Sequence, residues 1–205
     1  MGKTLTALLV SLNFIDFYKN SVDEIGTVFI IGFSERQFKA ELLKRPELGF
    51  VSREELKNLY KLQKLSSKGI EYYKRYQEAR TKIQKRFTDR KRNGFFRFIG
   101  YKAFVNRLFK ADGQVLNINK LTVEEIAENI KTGKILINDT LIESFKNSLI
   151  ICDEIHNVYN SVNKNNWGMA IQYVLDNIES VRAIFLSATP LNNNPSEIID
   201  ITNLV

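Results

Sequence analysis

The fold is decided by the stretch LIICDEIH at residues 149–156. Leu149 to Cys152 form an uninterrupted apolar run, and the acids Asp153 and Glu154 follow it directly. A continuous apolar run of this length is typical of a strand that is buried on both faces of a parallel sheet. The two acids therefore lie at the carboxyl end of a predicted strand, which is where open α/β sheets bind their ligands.

Three other stretches also predict strands, namely Val28–Ile31, Phe95–Tyr101 and Arg182–Leu186. Between the strands, apolar residues recur at helical spacing. The predicted helices are Thr4–Tyr18, Glu35–Leu43 after the cap Ser34, one or two helices in Ser52–Arg92 interrupted near Ser66–Gly69, Lys102–Phe109, Val123–Lys131 with the capping box Thr122 and Glu125, Trp167–Ile178, and a last helix from Pro195. Strands that alternate with helices predict an α/β fold whose parallel sheet is covered on both faces.

The composition excludes several classes of protein. The 205 residues are enough for one α/β domain. No window approaches the length of about eighteen apolar residues that a membrane span needs, so we expect no contact with a membrane. One cysteine and one histidine exclude a disulfide framework, a cysteine zinc site and a multi-histidine metal centre. Because no small-residue cleavage site follows the apolar start, we expect no signal peptide. The sparse use of cysteine favours the reducing interior of a cell.

The positive charge is concentrated in one segment. The net charge is +7, yet Lys74 to Lys102 alone contain eleven basic residues and two acids. Such a local surplus favours a polyanionic partner. The segment also holds six aromatic residues that offer stacking surfaces for bases, Tyr76, Phe87, Phe95, Phe96, Phe98 and Tyr101. Phe96 and Phe98 are expected on the core side of a strand, and a solvated helix face remains the alternative for the whole segment.

A phosphate-binding motif is suggested at the start of the first helix. Gly2, Lys3 and Thr4 match the end of the phosphate-binding loop, whose full form has four variable residues and a glycine before them. In the complete motif the backbone amides cradle the phosphates, the lysine reaches the outer phosphates and the threonine hydroxyl binds magnesium. The tripeptide alone equally fits an ordinary basic helix start.

The residues that follow the two C-terminal strands suggest hydrolytic chemistry. Asp153 is placed to hold Mg²⁺, and Glu154 to orient and deprotonate a water molecule. After Arg182–Leu186, the hydroxyl groups of the Ser187-Ala188-Thr189 run can hydrogen-bond catalytic carboxylates or His156. A solvated pair of acids and a simple turn are the respective alternatives.

Taken in this order, the three motifs GKT, DEIH and SAT resemble motifs I, II and III of superfamily 2 helicases and translocases. The resemblance implies that residues 1–205 are the first of two RecA-like domains, with the P-loop NTPase fold and a basic helical insertion at about 52–94. It implies ATP and Mg²⁺ as cofactors, bound by Lys3, Thr4 and Asp153. It also implies that His156, Ser187 and Thr189 couple the nucleotide state to the grip on nucleic acid.

Four shorter stretches resemble a narrower group, the D-E-x-H helicases of large nucleocytoplasmic DNA viruses. They are residues 38–42, 45–51, 101–109 and 153–157. This group is similar to the small subunit of the poxvirus early transcription factor and, more distantly, to viral nucleoside triphosphate phosphohydrolases. The resemblance implies a DNA-dependent ATPase of viral transcription, in the host cytoplasm or the virion. DNA or RNA, a viral RNA polymerase and a second transcription-factor subunit are the expected partners.

The residues expected to contact nucleic acid fall in two places. Ser34 and Arg36 follow the predicted strand Val28–Ile31. The others are the basic residues Arg86, Arg90, Lys91 and Arg92. Among the family's parts, the glycine-rich front of the phosphate loop, its strand and the second RecA-like domain with its arginine finger are missing from the sequence. We therefore expect a fragment that is marginally folded and nearly inactive by itself.

A second function remains open from the sequence. The chain could be a non-catalytic nucleic-acid-binding or transcription-factor module with a vestigial nucleotide site. The intact pair Asp153 and Glu154 favours the enzyme, because a vestigial site has no need of a water-activating acid. A phosphate-loop kinase or GTPase does not predict the SAT run after a DEIH strand.

Overall fold

The computed structural model describes residues 2–21, 26–32, 34–92, 94–111, 117–160 and 163–187. Its helices are α1 (Gly2–Ser21), α2 (Glu35–Lys44), α3 (Arg53–Leu65), α4 (Ile70–Arg86), α5 (Tyr101–Leu108), α6 (Val123–Lys131), α7 (Asp139–Glu143) and α8 (Asn166–Asn177). Its strands are β1 (Val28–Ile31), β2 (Phe96–Ile99), β3 (Phe109–Ala111), β4 (Ile135–Ile137), β5 (Leu149–Asp153), β6 (Tyr159–Asn160), β7 (Asn163–Lys164) and β8 (Arg182–Leu186). Short 3-10 helices occur at Pro46–Leu48, Ser66–Lys68, Arg90–Arg92, Ile118–Lys120 and Ile155–Val158.

Four strands form the main sheet in the order β2-β1-β5-β8. The pairs β1–β5 and β5–β8 are parallel, with Ile151 of β5 opposite Ile30 on one side and Ile184 on the other. Every residue of β1 and β5 is buried, as their continuous apolar runs predicted. The predicted α/β class with a parallel sheet is therefore confirmed.

The chain divides into two compact units. The first contains Met1–Asn13 and Ser34–Arg97, and the second contains Phe14–Phe33 and Phe98–Val205. The boundary thus falls inside α1 and inside β2.

In the second unit, α5 and α8 contribute to the buried cluster that includes residues of β1 and β5. Phe104 and Val105 of α5 and Ile171 of α8 belong to one buried cluster with Ile31 and Ile150. The capping box that Thr122 and Glu125 predict at α6 is present in both directions. Asn165 caps α8 by accepting hydrogen bonds from the backbone amides of its first turn.

In the first unit, α3 and α4 form a helical hairpin through the short turn at Ser66–Lys68, where the sequence predicted an interruption. At the base of the hairpin, the ring of Phe50 packs against three other phenylalanine rings. The centroid distances are 5.4 Å to Phe87, 5.6 Å to Phe95 and 5.8 Å to Phe96.

This cluster corrects one prediction about the basic segment. Phe87, Phe95, Phe96 and Tyr101 are all buried and therefore present no stacking surface for bases. Burying an aromatic ring in the core stabilises the fold by an amount comparable to the gain from stacking the ring on a base. The sequence pattern of this segment does not distinguish a core ring from a base-stacking ring. Phe96 lies in the core, as expected for its strand.

Smaller differences concern element ends and short strands. Tyr101 begins α5 and does not end a strand. Ser34 occupies the N-cap position of α2, but its side chain makes no capping hydrogen bond. The antiparallel pair β3–β4 was not predicted, because strands of three residues carry almost no periodic signal. The helix predicted from Pro195 lies outside the described residues.

Among the described helices, none is both long and apolar enough to cross a membrane.

Candidate functional site

The acidic pair lies at the carboxyl end of β5, an inner strand of the sheet. Asp153 is the last residue of the strand, pairs with Leu186 of β8 and is only 6% exposed. Glu154 adopts the left-handed conformation with φ of 53°, which costs a non-glycine residue about 1 kcal/mol. This turn ends the strand within one residue and leaves the Glu154 side chain partly exposed beside a buried aspartate.

A glycine at the end of β1 makes room for Asp153. A Cβ atom on Gly32 would lie 3.0 Å from the Asp153 backbone oxygen and 3.1 Å from its Cβ atom. The φ of Gly32, +148°, is also one that residues with side chains rarely adopt. Gly32 therefore allows β1 and β5 to end side by side, as the acidic pair requires.

The hydroxyl group of Tyr101 holds the backbone of the acidic pair. It donates a hydrogen bond of 2.8 Å to the carbonyl oxygen of Asp153, and the Tyr101 ring stacks on Trp167 at 5.2 Å. Burial raises the pKa of Tyr101 above its usual value, and the neighbouring acidic groups raise it further. The hydroxyl consequently stays protonated and remains a donor across the accessible pH range.

His156 connects the turn after β5 with the end of β8. Its Nδ1 atom lies 2.9 Å from the Ser187 hydroxyl oxygen and 3.5 Å from a carboxylate oxygen of Glu154. Its Nε2 atom lies 3.2 Å from the side-chain nitrogen of Asn157, which also donates to the Glu154 backbone oxygen at 3.0 Å. An amide nitrogen can only donate, so this pattern assigns the imidazole proton to Nδ1 and makes Ser187 its acceptor, with the Glu154 carboxylate nearby.

The structure thus brings together four residues that the sequence singled out: Asp153, Glu154, His156 and Ser187. Ala188 and Thr189 lie outside the described residues. The contacts of Tyr101 and Asn157 were missed. Asn157 gave a weak signal as a short polar residue in a turn, but Tyr101 is distant in sequence and gave none.

The predicted phosphate-binding residues lie at the start of α1. The helix begins at Gly2, and the side chains of Lys3 and Thr4 are partly exposed. Gly2, Lys3 and Thr4 belong to the first unit, and the acidic pair belongs to the second. Their role remains a prediction from the motif.

The residues predicted to contact nucleic acid have different surroundings. Arg36 is exposed on the first turn of α2, and Arg90, Lys91 and Arg92 form an exposed 3-10 turn. Arg92 also lies 3.5 Å from a carboxylate oxygen of Asp89. Ser34 is buried, which leaves little of its side chain for a ligand.

Arg86 has partners within the chain. Its guanidinium donates to both carboxylate oxygens of Glu55, at 2.6 Å and 3.0 Å, and to the backbone oxygen of Phe50 at 3.4 Å. The hydrogen bonds from Arg86 lower the pKa of Glu55 from 4.5 to about 2, helped by the backbone amide of Ser52. A bidentate pair of this kind positions the guanidinium, so Arg86 fastens the base of the hairpin, and its contact with nucleic acid stays a prediction.

The acidic pair fits a magnesium ion that is shared with phosphates. Among the described residues, no group of three or more His, Cys, Asp or Glu side chains could hold a metal ion alone. Mg²⁺ in nucleotide sites is typically bound through one or two carboxylates, with the substrate phosphates and water completing its shell. Asp153 offers one such carboxylate at the edge of the sheet.

The chain is similar over its whole length to early transcription factor large subunit homologs of African swine fever virus. For the proteins from isolates from Kenya and Malawi, the identity is 34% over 234 aligned residues, which cover 100% of this chain and 20% or 21% of the relative. A "Putative ATP-dependent RNA helicase" of Acanthamoeba polyphaga mimivirus is 30% identical over 115 residues, or 54% of this chain and 10% of the relative. No family model and no solved structure matches.

These comparisons relate the chain to viral transcription-factor and helicase-like proteins. The chain spans about a fifth of the length of the African swine fever virus relatives. Those relatives are named after the large subunit of an early transcription factor, whereas the sequence motifs suggested similarity to the small subunit.

Proposed function

We propose that this chain is the nucleotide-hydrolysing RecA-like domain of a nucleic-acid-dependent ATPase that acts in viral transcription. The observation that carries the proposal is the acidic pair at the end of β5, with His156 in hydrogen-bond reach of Ser187 at the end of β8. The similarity to a helicase-named protein supports the ATPase, and the similarity to early transcription factor homologs supports the process.

In this proposal the two acids have different roles. Asp153 holds Mg²⁺, and the bound ion supplies neutralising charge for the phosphates. Glu154 accepts a proton from the attacking water, a role that its partly exposed carboxylate suits. Lys3 and Thr4 contact the phosphates and the ion, on the strength of the sequence motif.

His156 is proposed to transmit the nucleotide state. Its Nδ1 atom lies 3.5 Å from a carboxylate oxygen of Glu154 and 2.9 Å from the hydroxyl oxygen of Ser187. A change in the charge or position of the Glu154 carboxylate during hydrolysis therefore alters the hydrogen bond to Ser187. The strand end at Ser187, with Ala188 and Thr189 after it, would carry that change toward the nucleic-acid contacts.

The setting is proposed from the relatives. The partners are DNA or RNA, a viral RNA polymerase and a second transcription-factor subunit, since the relatives are named after a large subunit, which implies a further one. The place of action is the cytoplasm of the infected cell or the virion.

A non-catalytic transcription-factor module is the second candidate. It is favoured by the names of the relatives that match over the whole of this chain, and by the exposed basic surface of the first unit. It predicts nucleic-acid binding without hydrolysis.

The two candidates are separated by ATP hydrolysis of the full-length product of the gene that encodes this chain. We expect Mg²⁺-dependent hydrolysis that nucleic acid stimulates, and an Asp153→Asn variant that is slower by at least about 100-fold. The matched control is Asp176→Asn on the exposed face of α8, which should keep the parent rate. A folded parent protein that binds nucleic acid but hydrolyses no ATP would establish the non-catalytic module.

A further inference from the structure

The far end of the α3–α4 hairpin, residues 60–75, exposes residues that a folded chain usually covers. We refer to these residues as the hairpin tip. None of them is buried, although the hairpin base is closed by Leu59, Ile83 and Phe87. The exposed fractions are 48% for Tyr60, 76% for Ile70, 39% for Tyr72 and 51% for Tyr73. Several large apolar groups exposed at one place mark an interaction surface.

The charges of the hairpin tip indicate what covers it. The tip holds five basic residues and one acid, and that acid, Glu71, is bonded to Arg75 at 2.6 Å. The other four are exposed lysines with no carboxylate partner among the described residues, Lys61, Lys64, Lys68 and Lys74. Some basic residues of the same unit do have carboxylate partners, as in Arg45–Glu41 and Arg86–Glu55. The tip therefore complements a polyanion.

The tyrosines narrow the class of polyanion. A base stacks on an exposed aromatic ring whatever its identity, and lysines neutralise the phosphates between successive bases. In a duplex the base faces are already stacked on each other, so rings add little to its binding. The carboxylates of an acidic protein segment would pair with the lysines but carry no aromatic face to stack on three tyrosine rings.

We infer that the hairpin tip binds single-stranded nucleic acid, with Tyr60, Tyr72 and Tyr73 as stacking surfaces and the four lysines as phosphate contacts. The inference rests on the nucleic-acid dependence of the proposed function and names the surface that supplies it. It also relocates the predicted contact. The sequence pointed to the aromatic residues between 74 and 102, most of which are buried, whereas the exposed rings precede them.

The test is fluorescence anisotropy of labelled oligothymidylate, the matching RNA and a duplex, titrated with the full-length gene product over a salt series. The ring variant carries Tyr60→Ala, Tyr72→Ala and Tyr73→Ala. The charge variant carries alanine at Lys61, Lys64, Lys68 and Lys74. The control variant carries alanine at four exposed lysines of the second unit, Lys110, Lys120, Lys131 and Lys134. Charge and control variants lose the same net charge, and thermal melts confirm that all variants are folded.

We expect the ring variant to bind the single strands at least about tenfold more weakly with an unchanged salt slope, and to bind the duplex like the parent. For single strands, the logarithm of the binding constant falls with the logarithm of the salt concentration by about 0.7 per phosphate contact. Loss of four lysine contacts in the charge variant should therefore reduce this slope by up to about 3. The control variant should bind like the parent.

Three results would overturn the inference. The ring variant could bind single strands as tightly as the parent, or the control variant could lose as much as the charge variant. Polyglutamate could also bind more tightly than the oligonucleotide and depend on the same rings, which would identify an acidic protein segment as the partner. Parallel ATPase assays of the parent keep the failures apart. A parent that hydrolyses ATP and binds nucleic acid independently of the tip leaves the proposed function intact.

Discussion

The polar residues of the turn at the end of β5, residues 153–157, have partners within the chain, whereas those of the hairpin tip are exposed. We call residues 153–157 the acidic turn. In the acidic turn, Asp153 is 6% exposed, its backbone is held by Tyr101, and His156 has partners on both ring nitrogens. On the hairpin tip, lysines and tyrosines are exposed and have no carboxylate or ring partner within the part of the chain that the structure describes. In the proposed roles, the contrast separates a site whose geometry is built before a ligand arrives from a surface that a ligand completes.

The first way to sharpen this comparison is to remove one hydroxyl group from each region. Tyr101→Phe deletes the donor to the buried carbonyl of Asp153 while keeping the ring that stacks on Trp167. We expect the free energy of unfolding to fall by about 1–3 kcal/mol, as for a buried acceptor that loses its partner. Chemical denaturation measures it.

The matched control is Tyr72→Phe on the hairpin tip, which should change the free energy of unfolding by less than about 0.5 kcal/mol. Equal effects of the two substitutions would show that the acidic turn is no more preorganised than the tip.

A smaller effect distinguishes the base of the hairpin from its tip. Arg86 lowers the pKa of Glu55 from its ordinary value of 4.5 to about 2. Ionised Glu55 therefore stabilises the fold fully when the pH is above 4.5, and this stabilisation is lost as the pH falls toward 2. Because the pair is partly exposed, we expect Glu55→Gln to cost about 1 kcal/mol at pH 7. The cost should shrink toward zero by pH 2, and thermal melts over a pH series measure it.

Glu71→Gln is the control for this prediction, since Glu71 forms a similar pair with Arg75 at the exposed end of the same hairpin. It should have no measurable effect at any pH. A pH-independent loss in Glu55→Gln would mean that packing or capping, and not the charge of Glu55, fastens the hairpin base.

The two inner strands of the main sheet, β1 and β5, were predictable because they contain continuous apolar runs, whereas β2 is shorter than the predicted Phe95–Tyr101. Val28–Ile31 and Arg182–Leu186 have the predicted ends, and Leu149–Asp153 is one residue longer. The antiparallel pair β3–β4 was not predictable, since three residues do not establish a period. The division into two units depends on contacts between distant segments, which local patterns do not report.

The candidate site was predictable where it depends on topology. Parallel neighbours end at the same edge of a sheet, so residues after β5 and β8 had to lie close together, and His156 and Ser187 do. The partner of Arg86 was not predictable, because Glu55 is 31 residues away and charge density does not reveal pairing. For the same reason, the sequence could not separate buried rings such as Phe87 from exposed rings such as Tyr73.

The central claim, that Glu154 activates water in an ATP-hydrolysing site, is tested most directly by Glu154→Gln in the full-length gene product. Nucleotide affinity and single-turnover hydrolysis are measured side by side, with Lys3→Ala as the comparison. The amide keeps the shape of the side chain and removes the base, so we predict a dissociation constant for Mg²⁺-ATP close to that of the parent and hydrolysis slower by about 100-fold or more. Lys3→Ala should weaken binding itself. Hydrolysis at the parent rate by the Glu154→Gln variant would contradict the account.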